Sequence, residues 1–276
     1  PFQLADSDTS GDPFMLRKNL LAAAVFMAGL VLPANAQFID TEAEYAVIMD
    51  YGTRDILFSK RGSEAMIPAS MTKIMTAHVV YDAIERGEIS LDDELVVSER
   101  AWREGGWATG GSTMGLKIGE TPTVEQLLRG VIVLSGNDAC IVLAEGLAGS
   151  EEAFADRMTD LAHELGLTSA NFENASGLPA DGHVISAADL AKLAALEIRK
   201  YPQYYKYYSE LEMTWNGITQ GNRNPLLYSM DGADGLKTGH LEVSGYGLTA
   251  SAERDGQRMV MVLNGLPSSQ ARAEES

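Results

Sequence analysis

The sequence predicts an α+β fold on three observations: paired apolar runs before residue 60, helical periodicities between residues 70 and 200, and a return to strand-like runs after Glu210. Residues 45–50 and 56–59 are apolar runs flanking a Gly52 turn, which reads as a β-hairpin. After Pro68, the residues Met71, Ile74, Met75, Val79, Tyr81 and Ile84 fall near helical spacing, and Gly87 suits a left-handed end. A buried helix is expected over 70–85, with Ser70 in its first turn. Residues 105–115 hold five glycines and read as a surface loop; without the Lys-Ser/Thr of a P-loop they are no phosphate cradle. Thr123-Val124-Glu125-Gln126 fits a capping box that opens a helix through Leu127, Leu128, Val131, Ile132 and Leu134, and residues 139–147 read as helix again. Residues 151–165 and 186–199 form two amphipathic helices, the first ending at Gly166 and the second before Pro202. Five tyrosines between 201 and 208 follow no period, so a locally packed connection is expected rather than a sugar-stacking site. Turns at Asn216-Gly217 and Asp255-Gly256 mark the final strands, the latter joining residues 246–252 to 258–263.

With 276 residues, 45% hydrophobic and 22% charged, the chain can build a substantial core, which excludes disorder as its main state. Its formal charge of −18 opposes the field that displaces counterions from nucleic acid, so no nucleic-acid partner is expected. The single cysteine, Cys140, excludes an internal disulfide, a CxxC pair and a multi-cysteine zinc site, and reads as a buried, inert thiol. From Met15 onward, Arg17 and Lys18 precede an apolar run over 20–32 and the small-x-small site Ala34-Asn35-Ala36. Residues 1–14 are therefore expected to be upstream sequence, 15–36 a signal peptide cleaved after Ala36, and 37–276 a single domain cut short at its C-terminal end. The apolar run falls short of the ~20 residues that span a bilayer.

Metal chemistry finds no support, because His78, His163, His183 and His240 have no close ligand spacing; no metal or cofactor is expected. No GxSxG elbow is present either. Ser70-Met71-Thr72-Lys73 instead puts a hydroxyl and an amine on one helical face, and a helix N-terminus favours developing negative charge. Lys73 acts as a base only if burial or a neighbouring positive charge lowers its pKa, and Lys237 is the candidate neighbour. By chance a Ser-x-x-Lys is expected about 0.6 times, a Ser-x-Asn about 0.65 times and a Lys-Thr-Gly about 0.04 times. Two Ser-x-Asn matches exist, Ser135-Gly136-Asn137 and Ser169-Ala170-Asn171, whereas Lys237-Thr238-Gly239 stands alone in an expected strand. All three motifs in order are expected by chance less than about 0.01 times.

This ordered set is shared by penicillin-binding proteins and class A β-lactamases. Pro68-Ala69-Ser70-Met71-Thr72-Lys73, Leu134-Ser135-Gly136-Asn137-Asp138-Ala139 and Asp234-Gly235-Leu236-Lys237-Thr238-Gly239-His240 resemble the low-molecular-mass D-alanyl-D-alanine carboxypeptidases, serine peptidase family S11. Ala108-Thr109-Gly110, Asn222-Arg223-Asn224 and Ala271-Arg272-Ala273-Glu274 extend the likeness over nearly all of residues 40–276. The resemblance implies a β-lactamase/DD-peptidase-like fold, in which an antiparallel sheet packed with helices meets a mainly helical part and the motifs line the cleft between them. It implies Ser70 as nucleophile, Lys73 as its base and Ser135 as proton relay. Asn137 would orient Lys73 and the peptide, and Lys237 would hold the field that keeps Lys73 neutral. Thr238 and Gly239 of the strand motif, with Arg272, would take up the substrate and its terminal carboxylate, and the N–H groups of Ser70 and His240 would form the oxyanion hole. Arg223 is a less certain second arginine.

Two features depart from the pattern. Gly136 replaces the acidic residue of Ser-Asp-Asn, pointing away from class A β-lactamases. The family's C-terminal β-rich domain and amphipathic anchor lie outside this sequence, so membrane attachment is expected only through such an anchor. The implied partners are the D-Ala-D-Ala terminus of peptidoglycan pentapeptide stems and β-lactam antibiotics as covalent inhibitors, met in the periplasm at the outer face of the inner membrane. Alternatives are a D,D-endopeptidase or weak β-lactamase using the same site, or a non-catalytic wall-binding module.

Overall fold

The computed structural model describes residues 39–276; the expected upstream segment 1–14 and signal 15–36 lie outside the described residues. Strands β1 (Tyr45–Asp50) and β2 (Ile56–Lys60) form the expected hairpin. Two-residue β3 (Ala65–Met66) then leads into a 3₁₀ turn, Ala69–Thr72, and helix α1 (Lys73–Glu85). The sequence predicts one continuous helix over 70–85, and the structure divides it. Its first turn is tightened to 3₁₀ geometry, closing by Met71 N–H donating to the Pro68 carbonyl at 3.1 Å, while Thr72 and Lys73 keep right-handed helical dihedrals into α1; Ala69, just before the predicted helix, takes a φ of 48°.

The middle of the chain is helical: α2 (Glu99–Gly105), α3 (Val124–Val133), α4 (Asn137–Ala148), α5 (Glu151–Glu164), short β4 (Ile185–Ser186), α6 (Ala187–Lys200) and one-turn α7 (Pro202–Tyr205). The capping box is present at α3, where Thr123 Oγ1 accepts from Gln126 N–H and Gln126 Oε1 accepts from Thr123 N–H. The glycine-rich segment divides in two. Residues 107–111 are exposed, but Thr113, Met114 and Leu116 are buried, because the Asp138 carboxylate accepts hydrogen bonds from Thr113 Oγ1 and from the backbone N–H of Met114, Gly115 and Leu116. The tyrosine segment packs partly on itself, with Tyr205 5.6 Å from Tyr208, but also onto α1 about 120 residues away, where Tyr204 stacks on Tyr81 at 4.7 Å and Tyr201 lies edge-on to His78 at 4.9 Å.

The chain returns to strands as β5 (Glu212–Trp215) and β6 (Ile218–Gly221), one-turn α8 (Leu226–Ser229), then β7 (Ala233–Leu241), β8 (Gly245–Arg254) and β9 (Gln257–Leu266), and ends in α9 (Ser269–Glu275). Both predicted turns have positive φ at both central residues, 48° and 79° at Asn216-Gly217 and 51° and 76° at Asp255-Gly256, matching the twist of tight hairpins. The main sheet is antiparallel in the order β2-β1-β9-β8-β7, so β1 pairs with β9 and the first described strand lies beside the last. Helix α6 crosses β1 and β9, while α1 is enclosed by α3, α4, α5, α6 and β7. Every residue of α1 from Lys73 to Ala83 is buried, the signature of a core helix rather than a surface one.

Candidate active site

Ser70 and Lys73 stand at the two ends of the 3₁₀ turn, and in that geometry residues i and i+3 eclipse, placing the amine directly over the hydroxyl. Lys73 Nζ lies 3.0 Å from Ser70 Oγ, 2.8 Å from Asn137 Oδ1 and 2.6 Å from the Ser176 carbonyl oxygen. The last two oxygens can only accept. A neutral amine has two hydrogens and one lone pair, so directing both hydrogens at these oxygens turns the lone pair to the serine hydroxyl. Burial, the leading cause, lowers the Lys73 pKa to about 8; the Arg223 charge acts the same way, and Asp138 and Glu151 oppose it. Lys237 is held well below its ordinary value, first by burial and then by repulsion from Lys73.

Ser135, Gly136 and Asn137 make the corner between α3 and α4. Ser135 sits in the left-handed region at φ 59°, Gly136 caps α4 in an extended conformation, and Asn137 is its first residue, two places earlier than the sequence predicts. A side chain at position 136 would begin 3.0 Å from both Asp138 Oδ1 and Met114 N, so this corner has little room for the acidic residue of a Ser-Asp-Asn motif. Asn137 N–H also donates to the Ser112 carbonyl at 2.9 Å, tying the glycine-rich segment to the corner.

Strand β7 carries Lys237, Thr238, Gly239 and His240 against the 3₁₀ turn that holds Ser70. A Cβ at Gly239 would stand 2.7 Å from the Pro68 carbonyl and 3.3 Å from Ala69 Cβ, so only glycine lets the strand approach this closely. Lys237 Nζ donates to the Thr238 carbonyl at 3.2 Å, and His240 is exposed and stacked on Tyr246 at 3.9 Å.

A cleft of about 510 Å³ opens between sheet and helices, lined by Ser70, Ser135, Asn137, Thr238, Gly239, His240, Arg223 and Arg272 among others. Lys73 and Lys237 lie buried behind its wall. Arg272, from α9, lies 5.7 Å from the centre of the Tyr246 ring, and Arg223 donates to Ser112 Oγ at 2.8 Å and to the Leu134 carbonyl at 3.1 Å. Burial lowers the pKa of both guanidiniums, and among the described residues neither has a carboxylate partner. The cleft is positive within an acidic chain, suited to an anionic group. The second Ser-x-Asn match lies elsewhere: Ser169 bonds Asp189 and Ser186, and Asn171 bonds Glu173 and Gly182. Cys140 is fully buried, and burial pushes its thiol up to about 12. Sequence reading missed the Ser176 carbonyl, Ser112 and Asp138. The first contributes only backbone, which leaves no residue-type signal, and the other two act through a loop whose folding back onto α4 no local pattern encodes.

The family model described as D-alanyl-D-alanine carboxypeptidase, peptidase S11, matches residues 32–267. Among curated proteins, the chain is 40% identical over 271 residues to D-alanyl-D-alanine carboxypeptidase DacD of Escherichia coli, covering 95% of this chain and 70% of that protein. It is 38% identical to DacF of Bacillus subtilis, covering 81% and 57%. Among solved structures, penicillin binding protein 6B of Escherichia coli superposes with TM-score 0.83 at 42% identity, covering 88% of this chain and 77% of that one. Penicillin-Binding Protein D2 of Listeria monocytogenes, in its ampicillin-bound form, superposes with TM-score 0.73 at 28% identity, covering 86% and 94%.

Proposed function

Because the chain belongs to the D-alanyl-D-alanine carboxypeptidase family, peptidase family S11, we propose that its cleft removes the terminal D-alanine from peptidoglycan stem peptides through an acyl-enzyme on Ser70. The observation that carries this reading is the buried Lys73 amine, 3.0 Å from the Ser70 hydroxyl and held by two acceptor-only oxygens. Neutral Lys73 takes the hydroxyl proton as Ser70 Oγ attacks the carbonyl between the two D-alanines. The tetrahedral oxyanion is held by the backbone N–H groups of Ser70 and His240, on the turn and the strand that Gly239 keeps in contact. Ser135 passes a proton to the departing D-alanine amine. Water then attacks the acyl carbon, the hydrogen atoms travel the reverse path, and Ser70 regains its proton. Thr238 and Arg272 hold the terminal carboxylate at the positive end of the cleft.

Penicillins enter the same scheme as acylating agents, a reading supported by the ampicillin-bound relative. Export through a removable signal at 15–36 and a periplasmic location complete the proposal, supported by the Arg17-Lys18 and apolar-run pattern and by the extracytoplasmic site of the substrate. The test is incubation with a penicillin followed by intact-mass analysis and peptide mapping, together with release of free D-alanine from a Lys-D-Ala-D-Ala peptide. A stable adduct on Ser70 and D-alanine release are expected. An adduct elsewhere, or none, would overturn the acyl-enzyme; a rapidly lost adduct without D-alanine release would make the site a β-lactamase.

A further inference from the structure

The Ser176 carbonyl is one of two acceptors that turn the Lys73 lone pair toward Ser70, yet nothing in the cleft itself holds that carbonyl in place. Three consecutive peptide planes behind it are fixed from outside the cleft. In the 174–175 plane, Ala175 N–H donates to Glu151 Oε1 at 3.1 Å. In the 175–176 plane, the Ala175 carbonyl accepts from Thr76 Oγ1 at 2.6 Å and Ser176 N–H donates to Asn174 Oδ1 at 3.2 Å. In the 176–177 plane, which contains the Ser176 carbonyl, Gly177 N–H donates to Asn174 Oδ1 at 2.8 Å. Asn174 Oδ1 also accepts from Leu178 N–H at 3.2 Å, and Asn174 Nδ2 donates back to the Leu178 carbonyl at 2.9 Å, so one side chain closes the whole turn.

Resting on the function proposed above, we propose that Asn174 is a positioning residue for the general base: by gripping the Gly177 N–H it orients the peptide plane whose carbonyl takes one Lys73 hydrogen, and so aims the lone pair at Ser70. Glu151 anchors the same turn one plane earlier. It is a buried carboxylate whose other oxygen meets Arg100 at 3.3 Å. Neither Asn174 nor Glu151 lines the cleft, so neither touches substrate. Rotating the plane leaves Lys73 one acceptor short, and its lone pair then samples directions away from the hydroxyl. Misplacement on the scale of 1 Å is worth up to about a hundredfold in rate.

The experiment compares Asn174→Ala, Asn174→Asp and Glu151→Ala with the wild type at pH 9, where Lys73 is mostly neutral, after near-ultraviolet circular dichroism confirms native packing. Acylation is timed with a fluorescent penicillin, and kcat and KM are measured on a Lys-D-Ala-D-Ala peptide. Asn174→Ala is expected to lose about tenfold or more in acylation rate and kcat with KM nearly unchanged. Asn174→Asp keeps the acceptor oxygen and recovers most of that loss, and Glu151→Ala shows a smaller loss in the same direction. Wild-type acylation by a natively packed Asn174→Ala enzyme, a loss confined to KM, or no recovery with Asp overturns the proposal. If Asn174→Ala does not fold, the Asp recovery cannot be read, and an unchanged kcat in Glu151→Ala then overturns it. Failure of the wild type itself to take penicillin on Ser70 overturns the functional reading and this inference together; wild-type acylation with unaffected variants overturns the inference alone.

Discussion

Lys73 can accept the serine proton only as a neutral amine, so its burial has a direct kinetic consequence. With a pKa of about 8 rather than 10.5, about a tenth of the enzyme carries the base form at pH 7. The sign follows from the active form being the deprotonated one: acylation falls about tenfold per unit below pH 8 and levels off above it. Stopped-flow acylation by a fluorescent penicillin across pH 6–9.5 measures this, and a flat profile over that range would remove Lys73 as the base. At this scale the sequence supplies the actors, because Ser-x-x-Lys places a hydroxyl and an amine three residues apart whatever surrounds them. It does not supply the depth of burial or the second acceptor, the Ser176 carbonyl, since both depend on segments about a hundred residues away folding over α1.

At the scale of elements, the contact between β7 and the Ser70 turn sets the width of the gap between sheet and helices at the proposed site. Gly239 is the residue that permits it, and a methyl group there would press on the Pro68 carbonyl at 2.7 Å, well inside van der Waals contact. Gly239→Ala is therefore expected to push strand and turn apart and cut acylation at least about tenfold while leaving most of the fold intact. Acylation rate and thermal denaturation measured together check this; an unaltered rate would show that the gap tolerates the methyl group. Several elements were legible because their signals are local: the Thr123 capping box, the Asp255-Gly256 hairpin and the β1–β2 hairpin each depend on a few adjacent residues. The break between the 3₁₀ turn and α1 was not legible. Apolar spacing across residues 71–84 is continuous, and tightening the first turn to 3₁₀ geometry leaves that spacing unchanged.

For the whole molecule, an antiparallel five-stranded sheet closed by the β1–β9 pair backs the cleft, and the positive groups of that cleft stand out against a chain of net charge −18. That acidity opposes binding to polyanions, and it is the arginines at the cleft that suit it to a small anionic group. The proposed export has its own test. Expressed with residues 15–276 in a bacterium, the protein is expected in the periplasmic fraction beginning at Gln37, as read by N-terminal sequencing. Recovery from the cytoplasm with Arg17 and Lys18 retained would overturn the signal assignment.

The sequence by itself determined the α+β order of elements and the three motifs, because motif residues and turn residues act through their own chemistry and their immediate neighbours; that the motifs share one cleft was implied only by the family resemblance and depends on packing. Tertiary structure alone decided that the glycine-rich segment folds back onto Asp138, that Gly136 has little room for a side chain, that Arg223 joins Arg272 at the cleft, and that a loop beyond α5 presents the Ser176 carbonyl to Lys73. Each of these is a contact between distant segments. Their closeness is set by how helices and sheet pack around α1, and a linear pattern of residue types does not encode those distances.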